Sequence, residues 1–217
     1  MALSIDVVSD VVCPWCFIGK RRLEGALERY AKEQPAAPAP VITWRPFQLN
    51  PDLPAEGMPR AEYVARKFGP RGGAVYERVS MVGRQVGLPF AFERIARQPN
   101  TLAVHSLIEL AQATGRQDAA VEAFFRAYFL DGVDLTAREN LVAVAQGAGL
   151  DPAEVEAWLD NARAREAVAQ EDARAREIGI EGVPFFIFNS RLAVSGAQPS
   201  EVLLDALKQA QSAPSEA

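Results

Sequence analysis

The stretch VVSDVVCPWCFIGKRRLEGALERY, Val7 to Tyr30, holds both cysteines of a 217-residue chain, Cys13 and Cys16. Ahead of them runs an apolar, β-branched segment, Leu3 to Val12, which reads as a buried strand. Behind them Leu23, Leu27 and Tyr30 recur at i, i+4 and i+7, one face of a helix. The cysteines therefore stand at a strand-to-helix junction. On one helical turn their Cα atoms would lie about 5–6 Å apart, within reach of a disulfide. Unpaired N–H groups at a helix start favour negative charge, so Cys13 is placed to be the thiolate nucleophile. Cys16, one turn deeper, is placed to resolve a mixed disulfide. Pro14 suits the first helical position, and Trp15 is expected at a half-exposed rim.

Three blander readings compete. Two unrelated buried cysteines would not need this spacing at this junction. Half of a zinc site would need four ligands, and the chain has one histidine and no third cysteine, so no metal is expected. A structural disulfide across so short a loop would restrain the unfolded chain little. In a βαβ setting the spacing reads as a redox pair.

Composition sets the frame. Hydrophobic residues make up 49% and charged residues 24%, so a sizeable core is available without a disulfide scaffold. With 28 acidic against 23 basic residues the net charge is −5, which argues against a nucleic-acid partner. The short basic cluster Lys20-Arg21-Arg22 reads as a solvated helix face. No run reaches the roughly 18–20 apolar residues of a membrane span, so no membrane partner is expected. MALSIDVVSD has no basic leader segment and carries Asp6, so no secretory signal is read and the chain is expected in the cytoplasm. Structural disulfides are rare there.

Along the rest of the chain, Gln34 to Pro40 closes the first helix, and Val41 to Trp44 reads as a second strand. Asn50 to Pro59 reads as a linker. The pattern is then helical over Glu62 to Phe68, Tyr76 to Val86, Leu102 to Thr114 and Val121 to Leu130. Thr136 and Glu139 have capping-box spacing. Asp151, Pro152 and Glu154 mark another helix start, and Asn161 to Ile178 reads as a long exposed helix. Strand character returns at Phe185 to Phe188. A tight turn at Asn189-Ser190 leads to a strand over Arg191 to Ser195, then a helix from Ser200 to Gln211. The fold class is α/β, with the two ends forming one sheet and a helical block inserted between them. The expected division is 1–55 plus 179–212 as one discontinuous domain, 56–178 as the insert, and 213–217 as a disordered tail.

The segments SDVVCPWCFIGKRRLE, WRPFQLNPDLP (Trp44 to Pro54) and GVPFFIFN (Gly182 to Asn189) resemble the DsbA-like thioredoxin-fold proteins. The resemblance is to the FrnE-like branch, related to 2-hydroxychromene-2-carboxylate isomerases and kappa-class glutathione transferases. It covers nearly the whole chain and implies a thioredoxin fold with a large inserted all-helical domain. It further implies that Cys13 attacks, that Cys16 resolves, and that Pro184 is cis and faces them. Val183 would then offer backbone groups to a substrate as an added strand does. The isomerase and transferase branches typically carry serine at the position of Cys13 and borrow glutathione as their thiol. The pair in this chain therefore favours a thiol–disulfide oxidoreductase with no bound cofactor, acting on disulfide-containing proteins or small thiols. A glutathione-dependent isomerase or transferase of a small aromatic molecule is the alternative, with glutathione as co-substrate. Periplasmic DsbA proteins place a histidine between their cysteines. Pro-Trp stands here instead, so a weaker oxidant is expected.

Other residues take a substrate role only through the resemblance. His105, the one histidine, and Asn100 lie where the helical block of relatives approaches the active site; Asn100 also suits a helix cap. Ser195 and Gly196 lie where relatives hold one end of glutathione, although a tight turn explains them too. Phe17 and Phe47 read as core more than as groove. Family members are often dimers, so a homodimer is the assembly the resemblance suggests.

Overall fold

The computed structural model describes residues 2–69 and 72–212. The tail expected to be disordered, 213–217, lies outside them. The opening run forms β1 (Ser4–Ser9), and the segment from Pro14 to Glu33 forms α1. After a turn comes β2 (Val41–Pro46), which pairs with β1 in parallel. Near the other end, β5 (Phe185–Phe188) lies antiparallel to β1 and β6 (Leu192–Ser195) antiparallel to β5, giving the order β2-β1-β5-β6. One sheet thus joins both ends of the chain. Asn189 and Ser190 take φ of 49° and 56°, the left-handed pair that a two-residue hairpin needs to match the strand twist. The last helix, α9 (Ser200–Ser212), packs along α1.

Period-two alternation gives each strand two faces. Ile5 and Val7, with Phe186 and Phe188, belong to the main core shared with α1 and α9. Val8 points the other way, into a smaller cluster with Phe47, Ala175 and Ile180, against which Phe185 and Ile187 pack.

Between the two halves of the sheet lie α2 (Arg60–Phe68), α3 (Gly72–Gln85), α4 (Leu102–Ala113) and α5 (Gln117–Arg126). A π turn over Ala127–Asp131, α6 (Arg138–Gly147), α7 (Pro152–Leu159) and α8 (Ala162–Glu177) follow. The block also contains a small ladder, β3 (Met58–Pro59) with β4 (Arg97–Gln98), at the end of the stretch read as a linker. Gly57 makes that approach possible: its φ is 63°, and a Cβ there would stand 2.3 Å from the Gln98 carbonyl oxygen. Asp151 caps α7 by accepting from the Ala153 and Glu154 N–H groups, as its sequence signal predicts. Thr136 and Glu139 form no capping box. The Thr136 hydroxyl donates to Asp134 Oδ1 at 2.7 Å instead, and α6 starts after Ala137 with no side-chain cap.

Two expectations change at the join between the sheet and the helices, and a third holds. Lys20 is not solvated: it is 3% exposed, with Nζ 3.0 Å from Asp118, 2.5 Å from Glu24 and 3.5 Å from Glu122. Asp118 also accepts from Trp44 Nε1, which ties α1, β2 and α5 together. Helix α8 is not wholly exposed either. Ala164, Val168, Asp172 and Ala175 form a buried stripe, and Asp172 accepts from the Gln48 N–H at 2.8 Å. Phe17 is core, its ring stacked on Phe125 at 4.9 Å and 8°, and Phe47 is core beneath the Arg176 guanidinium at 4.2 Å. Because Phe17 directly follows Cys16, the helical block is packed onto the active-site turn itself.

Candidate functional site

The chain leaves β1 at Ser9 and turns sharply, with Cys13 N–H donating to the Asp10 carbonyl at 3.0 Å. Cys13 is the residue that caps α1 and still has extended backbone (φ −95°, ψ 110°), and Pro14 fills the first helical position, where a missing N–H costs nothing. Cys16 N–H bonds back to the Cys13 carbonyl at 3.0 Å. Both cysteines are free thiols, buried, with Pro14 and Trp15 half-buried between them.

The facing wall comes from the far end of the chain. Cys13 Sγ lies 3.5 Å from the Val183 carbonyl oxygen, which therefore accepts from the thiol rather than standing free. The Val183–Pro184 bond is cis. Pro184 packs on α1 at Gly19, where a Cβ would come 2.9 Å from Pro184 Cγ and 3.2 Å from Phe186 Cζ. Gly196, at φ 80°, donates its N–H to the Pro184 carbonyl at 2.8 Å, and the exposed Ser195 lies beside it. Cys13, Pro14, Trp15, Cys16, Val183, Pro184 and Gly196 are thus one neighbourhood.

Asn100 and His105 do other work. Asn100 Oδ1 accepts from the Leu102 N–H at 3.0 Å and from Gln48 Nε2 at 2.9 Å, while its Nδ2 donates to the Leu53 carbonyl at 2.7 Å. Its groups are spent on a cap and on the loop after β2. His105 is buried on α4, its Nε2 3.4 Å from Asp10 Oδ1, an approach that becomes an ion pair when the imidazole is protonated.

Cys16 has surroundings of its own. Burial, then the neighbouring Cys13, push its thiol well above the ordinary value. Ser9 and the Asp10 backbone, beside it, act in the opposite direction. Asp10 is fully buried and accepts from the Leu49 N–H at 2.7 Å, fixing the junction to the loop after β2. The sequence reading missed Ser9, Asp10 and Gly19. A glycine inside a helical pattern was the signal for the last, since it costs about 1 kcal/mol against alanine unless packing requires it.

Residues 4–208 match the DSBA-like thioredoxin domain model, and the chain belongs to that family. A probable DsbA oxidoreductase from Streptomyces coelicolor is 32% identical, with TM-score 0.88 over 99% of this chain and 92% of that one. The uncharacterized protein YwbO of Bacillus subtilis is 24% identical, over 97% of this chain and 98% of its own. The cytosolic disulfide reductase DsbM of Pseudomonas aeruginosa, solved with GSH, shares the fold at TM-score 0.68 and 15% identity, over 96% of this chain and 99% of that one. Among the described residues no helix is long and apolar enough to cross a membrane.

Proposed function

We propose that this protein is a thiol–disulfide oxidoreductase that uses Cys13 and Cys16 as a dithiol pair. The observation that carries the reading is two free thiols one helical turn apart, the first at the site wall formed by Val183 and Pro184, the second sealed behind it. Cys13 attacks one sulfur of a substrate disulfide. The new Cys13–substrate bond forms, and the electron pair of the broken bond leaves on the other substrate sulfur. Cys16 then attacks Cys13 Sγ, the intramolecular disulfide closes, and the second substrate thiolate departs. The protein dithiol is oxidised by two electrons, and the substrate disulfide is reduced by two. In the reverse direction the protein donates its disulfide.

Substrates are proteins or small thiols presented along Val183, whose carbonyl is released when Cys13 Sγ turns to the substrate. We place the activity in the cytoplasm, as the name of DsbM states for that protein. Half-burial of Pro14 and Trp15 leaves a short rim beside Cys13 for the substrate backbone.

The test is an equilibrium titration in glutathione redox buffers, with free thiols counted by alkylation and intact mass. A reversible two-electron transition between the dithiol and an intramolecular disulfide is expected. A chain that never forms that disulfide but accumulates a stable glutathione adduct would sink the reading in favour of a glutathione-dependent isomerase or transferase.

A further inference from the structure

Lys20, Arg21 and Arg22 are consecutive cations on α1 that grip two different neighbours. Lys20 pairs with Asp118, Glu24 and Glu122, and Arg21 with Glu24 and Glu122, so both reach α5. Arg22 has no carboxylate partner among the described residues; half-buried, it donates from Nη1 to the Ala197 carbonyl instead. On a helix of 3.6 residues per turn, Lys20 and Arg22 stand about 200° apart. Arg22 therefore faces the other neighbour of α1, the connection from β6 to α9.

Gly19 lies on the same side, since residues three apart share a helix face. Through Gly19, α1 touches the Pro184 ring, 2.9 Å from where a Cβ would stand. Through Arg22 it holds Ala197, the residue after Gly196, whose N–H donates to the Pro184 carbonyl at 2.8 Å. The turn around Ala197 is closed on itself: Gln198 N–H donates to the Gly196 carbonyl at 2.8 Å, and Gln198 Nε2 to the Ser195 carbonyl at 2.9 Å. A turn braced in this way moves as one piece, and Arg22 fastens that piece to the helix that carries Cys16. The path of contacts runs from Arg22 to Ala197, Gly196, Pro184 and Val183. It ends at Cys13 Sγ, 3.5 Å from the Val183 carbonyl oxygen.

We infer that Arg22 is a positioning residue for substrate disulfides carried on an extended peptide. By holding the 195–198 turn it keeps the Gly196 N–H on the Pro184 carbonyl, and so sets where the Val183 backbone stands relative to Cys13. The inference rests on the dithiol reading and the Val183 wall described above. Arg22 touches neither sulfur, and no bond of the exchange is made or broken at it. A peptide that pairs with the Val183 backbone as an added strand needs that wall in register with the Cys13 sulfur. A small disulfide, which has only to reach the sulfur, does not. Arg22 thus acts on the selection of substrate and leaves the reactivity of the thiol alone.

The experiment uses the reduced full chain and two disulfides that release the same coloured nitrothiobenzoate. One is the aromatic disulfide dithiobis(nitrobenzoate), at one equivalent. The other is a short extended peptide whose cysteine is joined to one nitrothiobenzoate. With either, the first, concentration-dependent phase reports Cys13 attack. On the peptide, Cys13 bonds to the peptide sulfur and nitrothiobenzoate leaves with the electron pair. In the second, concentration-independent phase Cys16 closes the disulfide and frees the remaining thiolate, coloured in the aromatic case. Arg22→Ala should slow the first phase on the peptide about tenfold, the scale of one lost hydrogen bond to a charged group, and leave that on the aromatic disulfide within about twofold. Arg22→Lys, which keeps a charged donor, should restore most of the peptide rate. Arg29→Ala removes another tie between α1 and α9, the Arg29–Glu201 ion pair at 2.8 Å, and should leave both rates as in wild type. An unchanged peptide rate in Arg22→Ala, or equal slowing on both disulfides, overturns the positioning role. Arg22→Lys no faster than Arg22→Ala overturns the hydrogen bond as its cause. Equal slowing on the peptide in Arg29→Ala overturns the route through Ala197. If wild type releases only one thiolate from the aromatic disulfide, it is the dithiol reading beneath the proposal that fails.

Discussion

Cys13 lies against backbone from the far end of the chain, its Sγ 3.5 Å from the Val183 carbonyl, whereas Cys16, three residues on, faces Ser9 and Asp10 of its own strand-to-helix junction. The first contact crosses 170 residues of sequence and can open to admit a substrate. The second is local and closed, buried next in the chain to Phe17, whose ring stack fixes the helical block to α1. The difference teaches how one helical turn separates two roles. A nucleophile needs access and a resolving thiol needs confinement, and the fold supplies the first from β5's approach and the second from the insert.

Replacing each cysteine alone breaks this comparison most severely. Cys16→Ala should keep the fast first attack and stall as the mixed disulfide, seen by intact mass. Cys13→Ser should leave a lone thiol that is buried and held protonated, reacting with an aromatic disulfide at least about a hundredfold more slowly than Cys13 does. Equal reactivity of the two lone thiols would show that the two environments do not divide the labour.

A smaller effect sharpens the access side. Gly19 and Gly25 both lie within α1, and alanine at either gains helix propensity of up to about 1 kcal/mol. At Gly25 the new Cβ meets a serine hydroxyl at 3.1 Å, which can rotate aside; at Gly19 it meets the rigid Pro184 ring at 2.9 Å. Gly19→Ala should therefore destabilise by about 1–2 kcal/mol and slow the Cys13 phase, while Gly25→Ala is neutral or stabilising. Urea unfolding and the first-phase rate measure both. A Gly19→Ala variant as stable and as fast as Gly25→Ala would show that Pro184 is free to move.

The residues that were legible in the sequence share one property: their partners are near in the chain. The cysteine turn, the Asp151 cap and the Asn189-Ser190 hairpin depend on neighbours within a few positions. Lys20 could not be read this way. A lysine in a basic run looks solvated until Asp118, 98 residues away, is folded onto it. Ser9 and Asp10 were hidden for a related reason, since a polar pair ending an apolar strand looks like the start of a turn. What makes them part of the site is burial beneath Cys16 and the arrival of α4 with His105. The Thr136–Glu139 spacing failed because Asp134, two residues back, offered the threonine hydroxyl a better partner.

The smallest expected effect tests the confined side by pH. Cys16 is raised from the ordinary 9.0, first by burial and then by Cys13. A thiol with a raised folded value holds its proton more tightly in the folded chain than in the unfolded one. Its contribution to stability is therefore whole below about pH 9 and is lost as pH rises from there through the folded value. The slope is about 1.4 kcal/mol per pH unit for one proton. The window to watch opens at the thiol's ordinary 9.0 and closes near 10.0, where Tyr30, Tyr76 and Tyr128, also raised by burial, begin to contribute. Reduced wild type should lose stability across that window by an amount that Cys16→Ala does not, as read from urea midpoints at stepped pH. The oxidised protein, which has no Cys16 proton to hold, should follow the alanine variant. Parallel curves for reduced wild type and Cys16→Ala would mean that Cys16 ionises in the fold as easily as in the open chain, and the contrast between the two cysteines would then have to rest on access alone.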